Sequence, residues 1–380
     1  MIKGFKIRIY PNKDQEQKFW RHIGASRWIY NYMLAEQIRR YENGEKHMSA
    51  FDMNKALTPL KRQVEYAWLN EVGSNTLYRV CADVANAYKA FFAKRAKRPR
   101  FKSRKKSKPS FPLRDSVGYV WFGSDVVHLP SIGGVRYKTD YNLPLGRDAK
   151  LSNPRISYRG NKWFLSFGLE CESQAPELND YSMGIDLGIK ETMVVAYGGQ
   201  QLIFHNINKG RKMRNLQKRM RHLQRTISRK YEVNRVGRQY IKTNNILRAE
   251  ERLRKLYAKQ TGIRMNYIHQ STHALVDLLP HRVVMENLDV RGMLKNKFLS
   301  AEIHKQCFRE IIRQMQYKCE WNGIEFVQAD RFYPSSKTCS NCGCVHKGLK
   351  LRDRTFVCPE CGFTIDRDYQ AALNLSRYAT

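Results

Sequence analysis

The sequence predicts an α+β protein of several domains, in which a β-rich N-terminal part with a helical insert precedes an α/β part. Residues 5–10 and 117–170 carry short alternating apolar and polar runs, which are typical of half-buried strands. The residues between them keep helical spacing, and from about residue 181 buried strands alternate with helices. With 380 residues, a prior of about 150 residues per domain gives two or three domains.

The N-terminal part is predicted to fold as two interleaved domains. The strand at residues 5–10 and the strands of 117–170 are expected to close a small β-barrel over residues 1–10 and 110–178. Between them, residues 11–109 predict a helical domain with a basic linker. Its first helix is expected to be capped by Asp14 and to bury apolar side chains at helical spacing.

The second part is predicted to contain one sheet flanked by helices. A strand–strand–strand–helix–strand–helix–strand–helix order is that of an RNase H-like fold, in which the first and fourth strands are neighbours. This domain is assigned residues 179–334 and 365–380, with an insert at 335–364. Residues 208–279 and 301–321 are predicted to be helical, and a last helix begins near Asp368. The predicted strands are Met183–Asp186, Thr192–Tyr197, Gln201–Phe204, Arg282–Glu286 and Ile324–Ala329.

The charge balance predicts a polyanionic partner. The chain has 69 Lys and Arg against 34 Asp and Glu, a formal net charge of +35. Such a field attracts nucleic acid, whose condensed counterions are released when basic side chains neutralise the phosphates. No apolar run approaches the roughly 20 residues that span a bilayer, and the N-terminus lacks a signal peptide's apolar region. A cytoplasmic protein without membrane contact is therefore expected.

Two basic segments are candidate nucleic-acid contacts, with a merely solvated surface as the alternative. Residues 94–108 and 209–230 each carry ten Lys or Arg and no acid. The first is expected to stay extended or mobile until it meets an anion. In the second, an apolar stripe from Met213 to Ile227 predicts a helix-hairpin seam. The candidate contacts are Lys94, Arg95, Lys97, Arg98, Arg100, Lys102, Arg104, Lys105, Arg211, Lys212, Arg214, Lys218, Arg219, Arg221 and Arg225.

Four cysteines predict a structural zinc site. Cys339-x2-Cys342 and Cys358-x2-Cys361 form two knuckles, each able to direct two thiolates at one tetrahedral ion. Four cysteine ligands leave no open position for water, so the predicted role is structural. Cys344 is a fifth thiol nearby and is expected to be a spare.

Three acids predict a second, catalytic metal site. Asp186 and Glu286 end two apolar strands, and Asp368 begins the last helix. A carboxylate in such a place is costly unless it is paired or binds metal. If the first and fourth strands are neighbours, the three acids converge. They can then hold two Mg²⁺ or Mn²⁺ ions about 4 Å apart, as in metal-dependent phosphodiester hydrolysis.

Other polar residues near these motifs receive different interpretations. Asp366 shares the Asp-Arg-Asp turn with Asp368, but helix geometry is expected to aim only one of the two at the site. Asp330 ends the fifth strand and is expected at the far side of the sheet. Arg331 and Lys337 are candidate phosphate contacts.

Several motifs together resemble the transposon-encoded TnpB family, which is related to the type V CRISPR effectors. They are Gly-Ile-Asp-Leu-Gly at 184–188, Met-Glu-Asn-Leu at 285–288, Ser-Lys-Thr-Cys-Ser-Asn-Cys-Gly at 336–343 and the run from Cys361 to Asn374. Gln370 stands where the family usually has Asn. The resemblance spans nearly the whole chain, and its N-terminal part includes residues 26–31 and 99–103.

The resemblance implies an RNA-guided DNA endonuclease with a wedge barrel, a helical recognition insert and a RuvC-type nuclease domain. The zinc ribbon would handle target DNA. The guide would be an RNA made from the transposon end, and the target a double-stranded DNA beside a short adjacent motif read by a monomeric protein.

Three alternatives stay open. A compact CRISPR effector that uses a crRNA differs mainly in its genomic neighbours. A nuclease-silent, RNA-guided repressor is disfavoured because Asp186, Glu286 and Asp368 are all present. A DNA transposase proper is disfavoured because the zinc ribbon precedes the last acid.

Overall fold

The structure, a computed structural model, describes residues 1–171, 176–350 and 352–379. They form two compact units, Met1–Glu172 and Ser173–Thr380. The first unit combines an antiparallel sheet with α-helices that follow its first strand. Its elements are β1 (Ile2–Tyr10), α1 (Lys13–Glu42), α2 (Ala50–Arg62), a 3-10 helix (Val64–Glu71), α3 (Ser74–Phe92), β2 (Ser110–Pro112), β3 (Trp121–Phe122), β4 (Val126–Leu129), β5 (Gly133–Lys138), β6 (Ser152–Arg159) and β7 (Lys162–Glu170).

The sheet of the first unit has the strand order β2-β6-β7-β1-β5-β4-β3. β1 pairs with β7 from Ile2 opposite Glu170 to Ile9 opposite Trp163, so the two ends of the unit lie side by side. The prediction that residues 5–10 join strands from 117–170 is confirmed. β2 and β3 lie at the two ends of the strand order. Ile7 and Ile9 pack in the core below the sheet with Phe19 of α1.

The first helix begins two residues earlier than predicted. Asn12, rather than Asp14, is its N-cap, because its side chain accepts a hydrogen bond of 2.8 Å from the Gln15 N–H. The Gln15 side chain in turn accepts the Asn12 N–H at 3.0 Å. This reciprocal pair satisfies two helix-end donors. Asp14 lies in the first turn instead, where its negative charge interacts favourably with the positive end of the helix dipole.

The basic run at 94–108 is attached to α1 at one point. The Asn31 amide accepts the Lys102 N–H at 2.7 Å and donates to the Lys102 carbonyl at 2.8 Å. The Lys102 ammonium lies 3.5 Å from the centre of the Tyr30 ring, and burial lowers the pKa of Lys102. The run was expected to stay extended or mobile until it meets an anion, and Lys102 departs from this because hydrogen bonds to Asn31 already fix its backbone. The other candidate contacts in this run are exposed.

The second unit contains a five-stranded sheet, a long helical hairpin and a small cysteine-bearing insert. Its elements are β8 (Asn179–Leu187), β9 (Glu191–Tyr197), β10 (Gln200–His205), a 3-10 helix (Ile207–Lys209), α4 (Arg211–Val233), β11 (Arg235–Val236), β12 (Gln239–Tyr240), α5 (Asn244–Val276), β13 (Pro280–Met285), α6 (Val290–Met293), α7 (Ser300–Gln306), α8 (Phe308–Trp321), β14 (Glu325–Gln328), β15 (Thr355–Val357), β16 (Thr364–Asp366) and α9 (Arg367–Ser376).

The five-stranded sheet has the order β10-β9-β8-β13-β14. β8, β9 and β10 are antiparallel neighbours, whereas β13 runs parallel to both β8 and β14. The predicted contact between the first and fourth strands is therefore confirmed. One face of the sheet packs Ile185 and Met285 against Leu275 of α5 and against Ile311 and Met315 of α8.

The other face of this sheet is covered by α9 at very close range. Gly184 in β8 lies directly beneath the helix, and a Cβ atom built there would overlap the Ala372 carbonyl oxygen and the Ser376 nitrogen. Ala372 itself is fully buried against Val194 and Ala196 of β9. The absence of a side chain at residue 184 therefore sets how closely α9 approaches the sheet.

The predicted helical hairpin is formed by α4 and α5. Met213, Leu216 and Met220 of α4 pack against Leu253 and Leu256 of α5, which confirms the seam. None of the helices in the described ranges, including these long ones, has the length and apolar character needed to span a membrane.

The helix predicted over residues 301–321 is broken into α7 and α8. Cys307 between them adopts a left-handed backbone with φ 58° and ψ 37°. This conformation ends α7, and α8 begins at the next residue, Phe308. A single cysteine within an amphipathic pattern gave no signal of the break, because cysteine has no special preference for positive φ.

We predict that Gly184→Ala destabilises the second unit by about 1–3 kcal/mol or more, because the added methyl meets backbone atoms that cannot rotate away. Thermal unfolding followed by circular dichroism measures the effect. Gly262→Ala is the matched control: Gly262 lies within α5 with open space around its Cβ position. Alanine should stabilise that helix slightly. Equal melting temperatures for both variants would contradict the proposed packing constraint.

Candidate active site

Strand register brings Asp186 and Glu286 together. In the parallel pair of β8 and β13, Ile185 lies opposite Met285. The next residue on each strand is therefore Asp186 and Glu286, at the same level of the sheet. Because side chains alternate between the two faces, Asp186 shares the face of Gly184, which α9 covers. Both acids thus lie where the two neighbouring strands end beneath the last helix.

The last helix brings Asp368 to the same place. Ala372 lies over Gly184, and Asp368 is one helical turn before it on the same helix face. Four helical residues rise about 6 Å, and the two strand residues from Gly184 to Asp186 rise about 6.6 Å. The two displacements match, so Asp368 reaches the level of Asp186. The close contact at Gly184 is therefore what aligns the third acid with the first two.

The electrostatics of Asp186 reflect this convergence. Its pKa is raised well above its ordinary value, first by burial and then by the negative charges of Glu286 and Asp368. Arg367 acts in the opposite direction, and Asp366 adds to the increase. Like charges held in a poorly solvated place favour the protonated acid unless a cation joins them. The cluster therefore has the electrostatic character of a cation site.

Two further acids lie near the site, Asp366 at the start of α9 and Asp330 after β14. Asp366 caps α9, since its carboxylate accepts the N–H groups of Asp368 at 2.9 Å and Tyr369 at 3.1 Å. Asp330 was expected at the far side of the sheet, but it lines a cleft of about 220 Å³ together with Glu286. β14 is nevertheless the outermost strand of this sheet, as expected, and it is the direct neighbour of β13. Asp330 therefore lies one strand away from the acid cluster.

Ser335 is a site residue that the sequence did not reveal. Its hydroxyl donates a hydrogen bond of 2.7 Å to the Glu286 carboxylate, and the residue is only 3% exposed. Arg354 also approaches the cluster, with its guanidinium 3.9 Å from the Asp368 carboxylate. Ser335 immediately precedes the Ser-Lys-Thr-Cys motif, which was the one available signal, but no spacing rule connects it to Glu286.

The four predicted cysteine ligands form a compact cluster. The sulfur atoms of Cys339, Cys342, Cys358 and Cys361 all lie within 4.8 Å of one another. The Phe363 N–H and the Asn341 amide, which point at the sulfur of Cys361, lower the pKa of that thiol to about 6. Cys344 lies outside this group; its carbonyl accepts the Cys339 N–H at 2.8 Å. This geometry suits one tetrahedral ion.

The three acids form a wider group. Among the residues that the structure describes, only the four cysteines form a compact group of possible metal ligands, with their sulfur atoms within 4.8 Å of one another. The acids instead act on one another through charge, as the raised pKa of Asp186 records.

Gln370 connects α9 to the cysteine insert. It is fully buried, its amide donates to the Thr338 carbonyl, and its amide oxygen accepts the Ser340 hydroxyl at 2.8 Å. Asn374, one turn later, donates to the carbonyls of Ser335 and Thr338, both at 2.6 Å. The longer amide of glutamine therefore makes well-defined contacts in this chain.

The candidate nucleic-acid contacts of α4 all lie on its solvent side. Arg211, Lys212, Arg214, Lys218, Arg219, Arg221 and Arg225 are exposed. Within the described residues, no carboxylate forms an ion pair with any of them. Lys337 is also exposed, whereas Arg331 is paired with Asp289 at 2.5 Å. The exposed face of α4 thus carries a high density of uncompensated positive charge.

Comparison with known proteins decides the family. A Streptomyces pristinaespiralis protein named as a proposed RNA-guided DNA endonuclease is 31% identical over 374 residues, covering 98% of this chain and 88% of the relative. The chain belongs to the TnpB family. An Escherichia coli K12 relative named InsQ, also a proposed RNA-guided DNA endonuclease, is 29% identical over 390 residues, covering 98% of this chain and 91% of the relative.

Family models match three segments of this TnpB chain. Residues 308–375 match a model described as "Cas12f1-like, TNB domain", 166–297 one described as "Probable transposase", and 1–46 one described as "Helix-turn-helix domain". In the structure, residues 1–46 contain β1 and the single long helix α1.

A solved structure shares the fold. In the cryo-EM structure of a Cas12f1–sgRNA–target DNA complex, the similar chain has a TM-score of 0.60 and 13% sequence identity. The alignment covers 99% of this chain and 98% of that chain. At this identity the likeness concerns the α+β fold.

We predict about one zinc ion per chain, lost in Cys339→Ser and retained in Cys344→Ser. The reason is that the sulfur of Cys339 is part of the four-sulfur cluster and that of Cys344 is outside it. Elemental analysis of the purified variants measures the zinc content. Loss of zinc from the Cys344→Ser protein would move the ligand assignment.

Proposed function

We propose that this chain is an RNA-guided DNA endonuclease encoded by a transposon, which cleaves double-stranded target DNA by metal-dependent phosphodiester hydrolysis. The observation that carries the proposal is the convergence of Asp186, Glu286 and Asp368 beneath α9. Membership of the TnpB family supports the guided mode of action, since relatives carry that name.

The proposed domains follow the two units. The five-stranded sheet with α9 is proposed as the RNase H-like, RuvC-type nuclease domain, residues 179–334 and 365–380. Residues 335–364 are the proposed zinc ribbon, which handles target nucleic acid. In the first unit, the strands of 1–10 and 110–178 are proposed as the wedge barrel and residues 11–109 as the recognition domain. The strand orders of the two sheets support these roles.

The acid cluster suits Mg²⁺ or Mn²⁺. Carboxylate oxygens are hard ligands, which these ions prefer, and Asp186 lies among acids with too little positive charge nearby. Divalent ions bound there would activate water and neutralise charge on the scissile phosphate. The protein holds its carboxylates on two strand ends and one helix start, so they need not reorganise as charge develops. Ser335 holds one oxygen of Glu286 by a hydrogen bond.

The basic surfaces suit a guide RNA and its heteroduplex. The exposed face of α4 and the run at 94–108 offer phosphate contacts without base-specific geometry. In guided recognition, base pairing reads the sequence and the protein grips the backbone. The proposed guide is an RNA derived from the transposon end, bound by a monomeric protein. A crRNA guide is the alternative, which sequencing of the co-purifying RNA distinguishes.

A nuclease-silent, RNA-guided repressor is the second candidate function. It would share the basic surfaces and the fold, but it has no need of three acids brought into register. The raised pKa of Asp186 is a cost without benefit in such a protein. This observation favours the nuclease.

We predict that Asp186→Ala, Glu286→Ala and Asp368→Ala each reduce cleavage of a guide-matched plasmid at least about 100-fold, since each removes a carboxylate that would hold the cations stabilising the charge on the phosphate. Binding should persist, because it rests on many phosphate contacts and on base pairing. Cleavage with Mg²⁺ and gel shifts of the same complexes measure the two properties. Normal cleavage by all three variants would overturn the nuclease proposal.

Asp366→Asn is the matched control for Asp368. An asparagine oxygen still accepts the N–H groups that Asp366 caps, so most activity should remain. If Asp366→Asn were inactive and Asp368→Ala still cut, the helix register argued above would be wrong.

We predict that replacing Arg214, Lys218, Arg221 and Arg225 together with Gln flattens the salt dependence of guide RNA binding. Each lost phosphate contact lowers the logarithmic slope by about 0.7 for single strands and 0.9 for duplexes. Binding titrations at several salt concentrations measure the slope. The control is Arg39→Gln with Arg313→Gln, since these side chains are already paired with Glu36 and Glu310 at 2.7 Å. An unchanged slope in the fourfold variant would mean that α4 is merely solvated.

A further inference from the structure

We propose that Ser335 is a positioning residue for the nuclease metal site, and that through it the cysteine insert orients Glu286. The inference rests on the proposed function, because it concerns the same acid cluster. The insert would then have a second role besides any contact with nucleic acid, because it would hold the Glu286 carboxylate in a fixed orientation.

The first step is the hydrogen bond itself. The Ser335 hydroxyl donates to one Glu286 oxygen at 2.7 Å, a short distance that is typical of O–H donors on carboxylates. The serine is almost fully buried, so water does not easily replace it. With one oxygen held, the carboxylate has a fixed orientation, and its second oxygen and remaining lone pairs are available to a cation. Groups that orient metal ligands in this way tune affinity.

The second step is that the backbone of Ser335 is itself fixed. Its carbonyl accepts the Asn374 amide at 2.6 Å, and the same amide reaches Thr338. Gln370 adds a further bond to Thr338. Asn374 and Gln370 are buried residues of α9, the helix that also carries Asp368. One helix therefore fixes both Asp368 and the serine that holds Glu286.

The third step concerns the other end of the insert. The Arg354 guanidinium lies 3.9 Å from the Asp368 carboxylate, and the Arg354 carbonyl accepts the Arg367 N–H at 2.9 Å. The insert thus contacts two of the three acids, through Ser335 before its first cysteine and Arg354 between its two knuckles. Ordering of the cysteine cluster by metal would therefore favour the geometry of the acid site.

The test measures Mn²⁺ binding to the guide-bound protein by electron paramagnetic resonance, separately from cleavage. Ser335→Ala should weaken Mn²⁺ binding about 10- to 100-fold, the range for lost ligand-orienting groups. Zinc content, melting temperature and guide binding should stay close to those of the parent. Ser336→Ala is the matched control: this neighbouring hydroxyl has no hydrogen-bond partner among the described residues, so Mn²⁺ affinity should not change.

A double-mutant cycle shows whether Ser335 acts through Glu286. In a Glu286→Gln background, adding Ser335→Ala should weaken Mn²⁺ binding much less than it does in the parent. Independent, additive losses would overturn the inference, as would parent-like Mn²⁺ affinity in Ser335→Ala. If part of the Ser335→Ala protein loses zinc, Ser335→Thr carries the test, since it keeps the hydroxyl. Tighter Mn²⁺ binding by Thr than by Ala, measured in the fraction that retains zinc, supports the proposal; equal binding overturns it.

The two proposals fail in different ways. Should Glu286→Gln leave both Mn²⁺ binding and cleavage unchanged, the nuclease proposal fails and the positioning role falls with it. Should Glu286→Gln weaken Mn²⁺ binding while Ser335→Ala does not, the nuclease proposal stands and the positioning role alone is wrong.

Discussion

The arrangement of the second unit depends on one steric constraint, the backbone contact between α9 and β8 at Gly184. Any side chain at that position would meet the Ala372 carbonyl and the Ser376 nitrogen. Because Ala372 lies directly over Gly184, Asp368, one turn earlier in α9, reaches the level of Asp186, two residues later in β8. The amides of Gln370 and Asn374 then attach the cysteine insert to the same helix. The positions of the sheet, of α9 and of the cysteine insert relative to one another therefore depend on this single contact.

The acid cluster stands in contrast to the charge of the whole chain. With a net charge of +35, lysine and arginine are abundant, yet few of them neutralise Asp186. The Arg367 guanidinium is directed to the carbonyls of Lys350 and Asp353 at 3.3 and 3.2 Å, and Arg354 touches Asp368 only at 3.9 Å. These two arginines therefore compensate the charge of the acid cluster only in part, which is consistent with the proposed cation site.

The sequence was sufficient for the features that depend on local pattern and strand order. Short stretches of sequence were enough to identify the apolar strands before Asp186 and Glu286, the cysteine knuckles and the seam of α4. The order of strands implied that β8 and β13 are neighbours. Features fixed by distant contacts were not predictable. The bond between Ser335 and Glu286 spans 49 residues, and the tie between Asn31 and Lys102 spans 71. The left-handed backbone at Cys307 was not predictable either, because glycine and asparagine are the residues that usually indicate such a conformation.

The attachment of Lys102 to α1 bears on the entropy cost of the nucleic-acid binding proposed for residues 94–108. A free segment between α3 and β2 would lose the freedom of its whole length on meeting a phosphate chain. The two hydrogen bonds between Asn31 and Lys102 instead divide it into two shorter loops whose shared end is already fixed. Closing short loops costs less conformational entropy than closing a long one, and preorganised charges lose less freedom on binding. If residues 94–108 bind nucleic acid as proposed, folding of the protein therefore already includes part of the entropy loss that binding would otherwise require.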